Sequence, residues 1–376
     1  MIKIKLCNKK LAYLFTYFLS WLIYFALNVI IVLYSKAQTP YIYLYLITLG
    51  KIVGGLAIFI YVNQPFKQKK KTNYFGLELL HNKRDIRAID KGYKIILLII
   101  FESSFDILFL YYNIFYRLVY IKYGCLSTIS SSLIYIYAFK YKVGKHQKIS
   151  LIIMSIFLIF TIIIEICFYP KTSFLAFNFL LCFGIILVSF SDCTEKYLVE
   201  YNFINPFKLL MFEGIVEFIL CVIISIQKNF INEFINAFQD ENIFIIIFVY
   251  PLIALSSAFL NVYKIYCNII YSPMAKSLTD YLLTPFFNLL FFFLIYGTND
   301  IGYMILSEIA SLVISFFGLV YNEFIIIYGC GLEYDTKEEI SKRAGDTGRP
   351  SKIIMAEMDD ISECDEDDIK DNELPY

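Results

Sequence analysis

Ten long apolar runs divide the chain, at about 11–35, 41–62, 95–116, 123–139, 149–168, 174–194, 209–226, 243–266, 277–296 and 301–328, with polar gaps between them. Most reach the ~20 residues that a helix needs to cross a hydrocarbon core ~30 Å thick. The fourth run is short and covers only ~25 Å at 1.5 Å per residue, which shielding by neighbours or local bilayer thinning accommodates. None alternates with the period of a barrel strand. Lipid leaves no other way to satisfy the backbone, so the pattern predicts an all-α domain of ten transmembrane helices over 1–328.

Charge orients these spans. Only five of the 33 lysines and arginines fall in the odd-numbered gaps, while the N-terminus, the even-numbered gaps and the tail hold almost all the rest. This is the positive-inside pattern of a multi-pass protein with both termini in the cytosol. The gap 63–94 alone carries nine basic residues. It reads as a topology determinant before it reads as a site for anionic lipid. Ten spans with both ends on one side divide into two halves of five, about 1–168 and 174–328. An odd number per half obliges the second to enter from the opposite face, so the repeats are expected to be inverted.

Composition excludes more than it assigns. The chain is 59% hydrophobic with no net charge, and its mean hydropathy is +0.64. Nine cysteines form no Cys-x-x-Cys pair and read as small buried residues. Both histidines, His81 and His146, fall in cytosolic gaps. Neither a metal-ligand cluster, a phosphate-cradling glycine loop nor a nucleophile–base pair is discernible. No enzyme activity, cofactor, metal or nucleic-acid partner is therefore expected. The apolar core of the first run exceeds the 7–15 residues of a cleaved signal and reads as a retained span.

Outside the spans, Phe230, Ile231, Phe234, Ile235 and Phe238 recur at helical spacing in the gap 227–242, the mark of a helix lying in the interface. Thr336-Lys337-Glu338-Glu339 is a capping-box pattern that predicts a short cytosolic helix through Arg343. The tail 329–376 ends in a stretch, 357–376, with ten Asp and Glu and little apolar bulk, which cannot bury enough surface to fold.

Ionisable side chains inside spans cost about 2.5–3.5 kcal/mol each at mid-bilayer and are functional candidates by default. Lys51 lies mid-way along the second run, between Gly50 and the pair Gly54-Gly55, whose lack of side chain lets helices approach and aims the lysine inward. Glu102 and Asp106 share one face of the third span, and Glu213 and Glu217 repeat that spacing in the seventh. Two acids one turn apart cannot neutralise each other, so these pairs call for a proton, a cation or a basic partner, with Lys51 the obvious one. Lys264 lies late in the eighth span, and Lys276 and Asp280 share a face of the ninth, where they could pair with each other. Glu308 and Glu323 fall in the tenth, and Lys264 and Glu323 lie where snorkelling to the interface would suffice.

Several segments taken in order resemble the solute carrier family 35 branch of the drug/metabolite transporter superfamily. Phe101-Glu102-Ser103-Ser104-Phe105-Asp106 precedes a serine-rich span, Cys125-Leu126-Ser127 to Ser130-Ser131. That span leads to the basic loop from Lys140 through His146-Gln147. Glu195-Lys196-Tyr197, Asn205-Pro206 with Glu213-Gly214, Ser277 to Asp280 with Thr284-Pro285, and Leu319 to Glu323 continue the likeness over about 93–330. Position 283 is Leu where the family usually carries an arginine. The resemblance implies a five-plus-five inverted-repeat carrier working by alternating access, with polar positions at Asp106, Glu195, Glu213 and Asp280. Lys51, Lys264, Glu102 and Glu217 join that set from the charges themselves.

The expected function is transport of a small anionic or polar metabolite across an internal membrane, with Lys51 holding an anionic group of the substrate. A non-transporting scaffold acting through the basic gap and the acidic tail is the alternative. The expected partners are a small-molecule substrate and the lipid bilayer, with homodimerisation left open.

Overall fold

The computed structural model describes residues 2–4, 8–34, 40–62, 89, 91–115, 123–139, 143–168, 172–202, 204–227, 235, 243–270, 272–282, 285, 301–329, 331–336 and 339. Ten α-helices are found among them. They are α1 Asn8–Tyr34, α2 Pro40–Val62, α3 Gly92–Phe115, α4 Cys125–Tyr137 and α5 Lys145–Phe168. The others are α6 Thr172–Tyr201, α7 Pro206–Gln227, α8 Tyr250–Ile270, α9 Pro273–Leu282 and α10 Ile301–Tyr321. Six segments, in α2, α5, α6, α7, α8 and α10, are long and apolar enough to cross a membrane. The chain is therefore all-α in its body and has the helices of a multi-pass membrane protein. α4 has 13 residues, about 20 Å of helix.

Sequence chemistry sets the helix starts. At α7, Asn205 Oδ1 accepts the amides of Phe207 (3.0 Å) and Lys208 (3.3 Å), with Pro206 in the first helical position where no amide is needed. At α5, Gly144 N–H donates to Gln147 Oε1 at 3.0 Å, and Asp335 Oδ2 accepts the Lys145 amide at 2.9 Å. A π-turn over Ile245–Val249 leads into α8. It adjoins Pro251, which lacks the N–H that would close an ordinary turn there.

The helices are apolar outside and polar inside. On α5 the exposed face is Ile149, Ile152, Ile156, Ile159 and Ile163, while Ser150, Thr161 and Glu165 are buried. α7 repeats the arrangement, with Ile215, Ile219 and Ile223 outward and Glu213, Glu217 and Ser225 inward. In lipid the solvent is as apolar as leucine, so association rests on close packing and polar contacts.

Glycines provide the close packing around α2. Gly50 and Gly54 face Ala254, Ser257 and Ala258 of α8, whereas Gly55 faces Phe207 and Met211 of α7. A Cβ at Gly55 would stand 2.9 Å from the Met211 backbone nitrogen. Gly55→Val is therefore expected to force α2 off α7 at a cost of about 1–3 kcal/mol, read as a lower midpoint of thermal unfolding in detergent. An unchanged midpoint would contradict this packing.

α2 packs on α7 and α8, α1 on α8, α3 on α6 and α7, α4 on α6 and α9, and α5 on α10. A short antiparallel ladder joins the segments that flank the helices. β1 (Ile2–Ile4) pairs with β2 (Ile325–Ile327) in the register Ile2↔Ile327, Lys3↔Ile326 and Ile4↔Ile325. The segment before α1 and the segment after α10 thus lie at one end of the bundle.

Several expectations change. The last apolar run does not stay helical to 328: α10 stops at Tyr321 and Ile325–Ile327 form β2. The stop is made by Glu323 at φ +59, with Phe324 N–H on Leu319 O and Glu323 N–H on Val320 O, a Schellman-type end. α6 runs seven residues beyond the predicted end at 194, to Tyr201, which brings Glu195 and Lys196 into the helix. His146 is buried in the first turn of α5 rather than in a gap, and its Nε2 meets Glu323 Oε1 at 3.2 Å. Thr336 has the extended backbone of a helix cap, but its hydroxyl donates to Glu333 O. Nearby, exposed Glu333 accepts the Gly329 amide at 3.0 Å, and backbone donors, its own amide first, hold its carboxyl below the usual range. Most of the basic gap 63–94, most of the interfacial segment 227–242, the second part of the ninth span and the acidic tail lie outside the described residues.

Candidate functional site

Lys51 is the twelfth residue of α2, mid-way along a helix of 23. Its Nζ lies 2.6 Å from Glu217 Oε1, 3.1 Å from Glu213 Oε2 and 3.6 Å from Asp106 Oδ2. One lysine therefore serves three carboxylates from α3 and α7. Lys264 of α8 takes up the chain at Asp106 Oδ2 (3.8 Å) and continues it to Asp192 Oδ1 (3.0 Å) and Glu195 Oε1 (2.9 Å) on α6. Lys276 of α9 closes it on Asp192 Oδ2. Asn268 steadies this end, its amide donating to Glu195 Oε2 at 2.7 Å.

Glu102 completes the group from α3. Its only hydrogen bond recorded among the described residues is from the Ser191 hydroxyl to Oε1 at 3.1 Å. Glu102, Glu195 and Glu213 each present an oxygen, and the three oxygens lie within 4.8 Å of one another. Glu102 Oε2 and Glu213 Oε1 are buried without a hydrogen-bond partner among the described residues.

The members of this network are not equally enclosed. Asp192 and Glu213 have side chains 0% and 1% exposed, against 11% for Asp106 and 12% for Lys264. Asp106 and Lys264 are thus its most accessible pair. Six carboxylates gather around Lys51, Lys264 and Lys276. Counting Lys196 as well, buried one residue from Glu195, the described network still holds two more acids than bases. Such a surplus in a low-dielectric interior is unstable unless a proton or a cation offsets it.

Seven of the eight candidate residues from the sequence meet here: Lys51, Glu102, Asp106, Glu195, Glu213, Glu217 and Lys264. Asp280 belongs to α9, but its side chain lies outside the described residues. Lys276, which shares a face of the ninth span with Asp280, reaches across to Asp192. Lys264 is not a snorkelling residue, since it bridges three buried acids. The expectation of no metal-ligand cluster also needs correcting: the fold assembles an all-carboxylate trio from α3, α6 and α7. Residues 93 and 18 positions apart, on separate helices, carry no spacing signal.

Two acids escaped the sequence reading, although both stand inside apolar runs where any charge is a signal. Asp192 is one. The other is Glu165 of α5, in a separate network toward the other end of α6. Glu165 accepts from Tyr123 Oη, from Asn178 Nδ2 at 3.0 Å and from Tyr303 Oη at 3.2 Å. These donors tie α5 to α6, α10 and the segment leading into α4.

Hydroxyl groups line the crossing of α4. Thr128 and Ser277 share a hydrogen bond, Ser189 donates to Ser127 at 3.2 Å, and Ser132 donates to Tyr321 Oη at 2.8 Å. The serine-rich span therefore faces α6, α9 and α10. The chain matches no protein-family model and no curated protein.

Proposed function

We propose that the protein is a carrier of a small polar metabolite, working by alternating access in an internal membrane with both chain termini in the cytosol. The observation that carries this reading is the buried network on α2, α3, α6, α7, α8 and α9, whose pairs can exchange. An anionic group entering at Asp106 and Lys264 competes with carboxylates for the ammonium groups of Lys264 and Lys51. A displaced carboxylate then takes up a proton or a cation, which couples the substrate to a change in helix packing.

The ten-span, five-plus-five arrangement is supported by the packing pattern. Adding five to each helix number exchanges α1·α8 for α6·α3 and α2·α8 for α7·α3, and it leaves α2·α7, α4·α9 and α5·α10 as self-paired contacts. Lys51 and Glu217 occupy corresponding places, eleven residues after Pro40 and Pro206, the first residues of α2 and α7. Their 2.6 Å pair falls where a pseudo-two-fold axis would run. The β1–β2 ladder is consistent with an even number of crossings, and the basic gaps favour the cytosolic side. The likeness to solute carrier family 35 agrees with each of these points.

The test is uptake into liposomes after a thermal-stabilisation screen of metabolites has identified a ligand. Asp106→Asn and Glu213→Gln are each expected to lower the initial rate at least about tenfold, the effect of ~1.4 kcal/mol. Wild-type rates in both variants would refute the carrier reading. Loss of function on truncation after Arg343, with cavity variants active, would favour the scaffold alternative.

A further inference from the structure

We infer that Glu102, Glu195 and Glu213 form a binding site for one small hard divalent cation of the Mg²⁺, Mn²⁺ or Ca²⁺ class. The trio offers oxygen ligands alone, the chemistry of such ions and not of zinc or copper. Metal–oxygen distances of ~2.1 Å for Mg²⁺ and ~2.3–2.6 Å for Ca²⁺ place opposite ligands ~4–5 Å apart. The three carboxylate oxygens lie within 4.8 Å of one another, close enough for small side-chain movements to bring all three onto a single ion.

Two further observations point to a ligand there. Glu102 is 1% exposed, and among the described residues its Oε2 has no hydrogen-bond partner and no lysine comes within ion-pair distance of it. A buried carboxylate with one neutral donor is incomplete. Glu213 Oε1 likewise has no hydrogen-bond partner among the described residues, while its Oε2 meets Lys51. The second observation is the charge count: among the described residues six acids outnumber the three lysines paired within the network, Lys51, Lys264 and Lys276, and a divalent ion offsets that surplus. The ligands stand on three helices, and Lys51 and Lys264 each hold one of them, at Glu213 Oε2 and Glu195 Oε1.

The inference does not rest on the carrier reading, because it is tested by binding alone. Full-length protein in detergent, stripped with chelator, is titrated with Mn²⁺ while the free-ion signal is followed by electron paramagnetic resonance. One Mn²⁺ per chain is expected, displaced by Mg²⁺ and by Ca²⁺. Glu102→Gln and Glu195→Gln are each expected to weaken it at least about tenfold, whereas Glu165→Gln, in the separate network, leaves it unchanged. Should Glu102→Gln fail to fold, Glu102→Asp keeps the charge and withdraws the ligand, with the same loss expected. Absence of stoichiometric Mn²⁺ overturns the site, because the surplus is then carried by protons. So does an equal loss in Glu165→Gln, which reduces the binding to general acidity.

Discussion

Lys51→Met is expected to destabilise the protein by about 3–5 kcal/mol, the cost of stripping the partner from buried charges. The methionine fills the volume of the lysine stem, so packing against α7 and α8 is kept and only the charge is lost. Glu217, Glu213 and Asp106 then face one another with Lys264 the nearest remaining base, at 3.8 Å from Asp106 alone. The readout is the thermal midpoint of purified protein together with the monodisperse fraction. The reverse change sharpens the result. Because Lys51 and Glu217 sit at corresponding positions of α2 and α7, the double exchange Lys51→Glu with Glu217→Lys restores a pair at the same crossing. It is expected to recover most of the lost stability, whereas Lys51→Glu alone is the worst of the set. A double exchange no better than Lys51→Glu would show that the pair is held by something other than its position on the two helices.

The second large effect is expected at Asp192. Its two oxygens each hold a lysine, Lys264 at 3.0 Å and Lys276. Lys264 keeps Glu195 and Asp106 if the aspartate is removed, but no other ion pair of Lys276 is recorded among the described residues. Asp192→Ala therefore strands a lysine that is 4% exposed, again a change of about 3–5 kcal/mol. Glu217→Gln is the control. It removes an acid from the acid-rich end, leaves Lys51 with Glu213 and Asp106, and is expected to cost no more than about 1 kcal/mol. Equal losses in the two variants would mean that the network responds to polarity and not to its balance of charge.

The two predictions differ in what the sequence made visible. Lys51 was conspicuous as a basic residue in the middle of an apolar run, and two acid pairs one turn apart already called for a cation. Asp192 was no less anomalous, yet it stood among Ser191, Cys193 and Thr194 near the end of a run, where a boundary absorbs a charge. Setting that boundary at 194 also left Glu195 outside the helix, although α6 continues to Tyr201. Glu165 was hidden similarly, near the end of α5. Three-residue strands such as Ile2–Ile4 have too few positions for a periodic signal, and Ile325–Ile327 reads equally well as the end of a hydrophobic helix.

What the sequence determined by itself is the set of helices and the character of their faces. Length and hydropathy set the spans, because a backbone in lipid must close its own hydrogen bonds. The 3.6-residue period of charges and hydroxyls showed which face of α3 or α7 turns inward. The tertiary structure alone decided which acid shares which lysine. Lys51 and Glu217 are separated by 166 positions, Lys276 and Asp192 by 84, and Asn268 and Glu195 by 73. Apolar surface does not choose among partners in a membrane, where every outer face is as apolar as the lipid. Close contacts at Gly50, Gly54, Gly55 and Gly214 chose the neighbours of α2 instead, and in that packing Lys51 and Lys264 are shared among five acids.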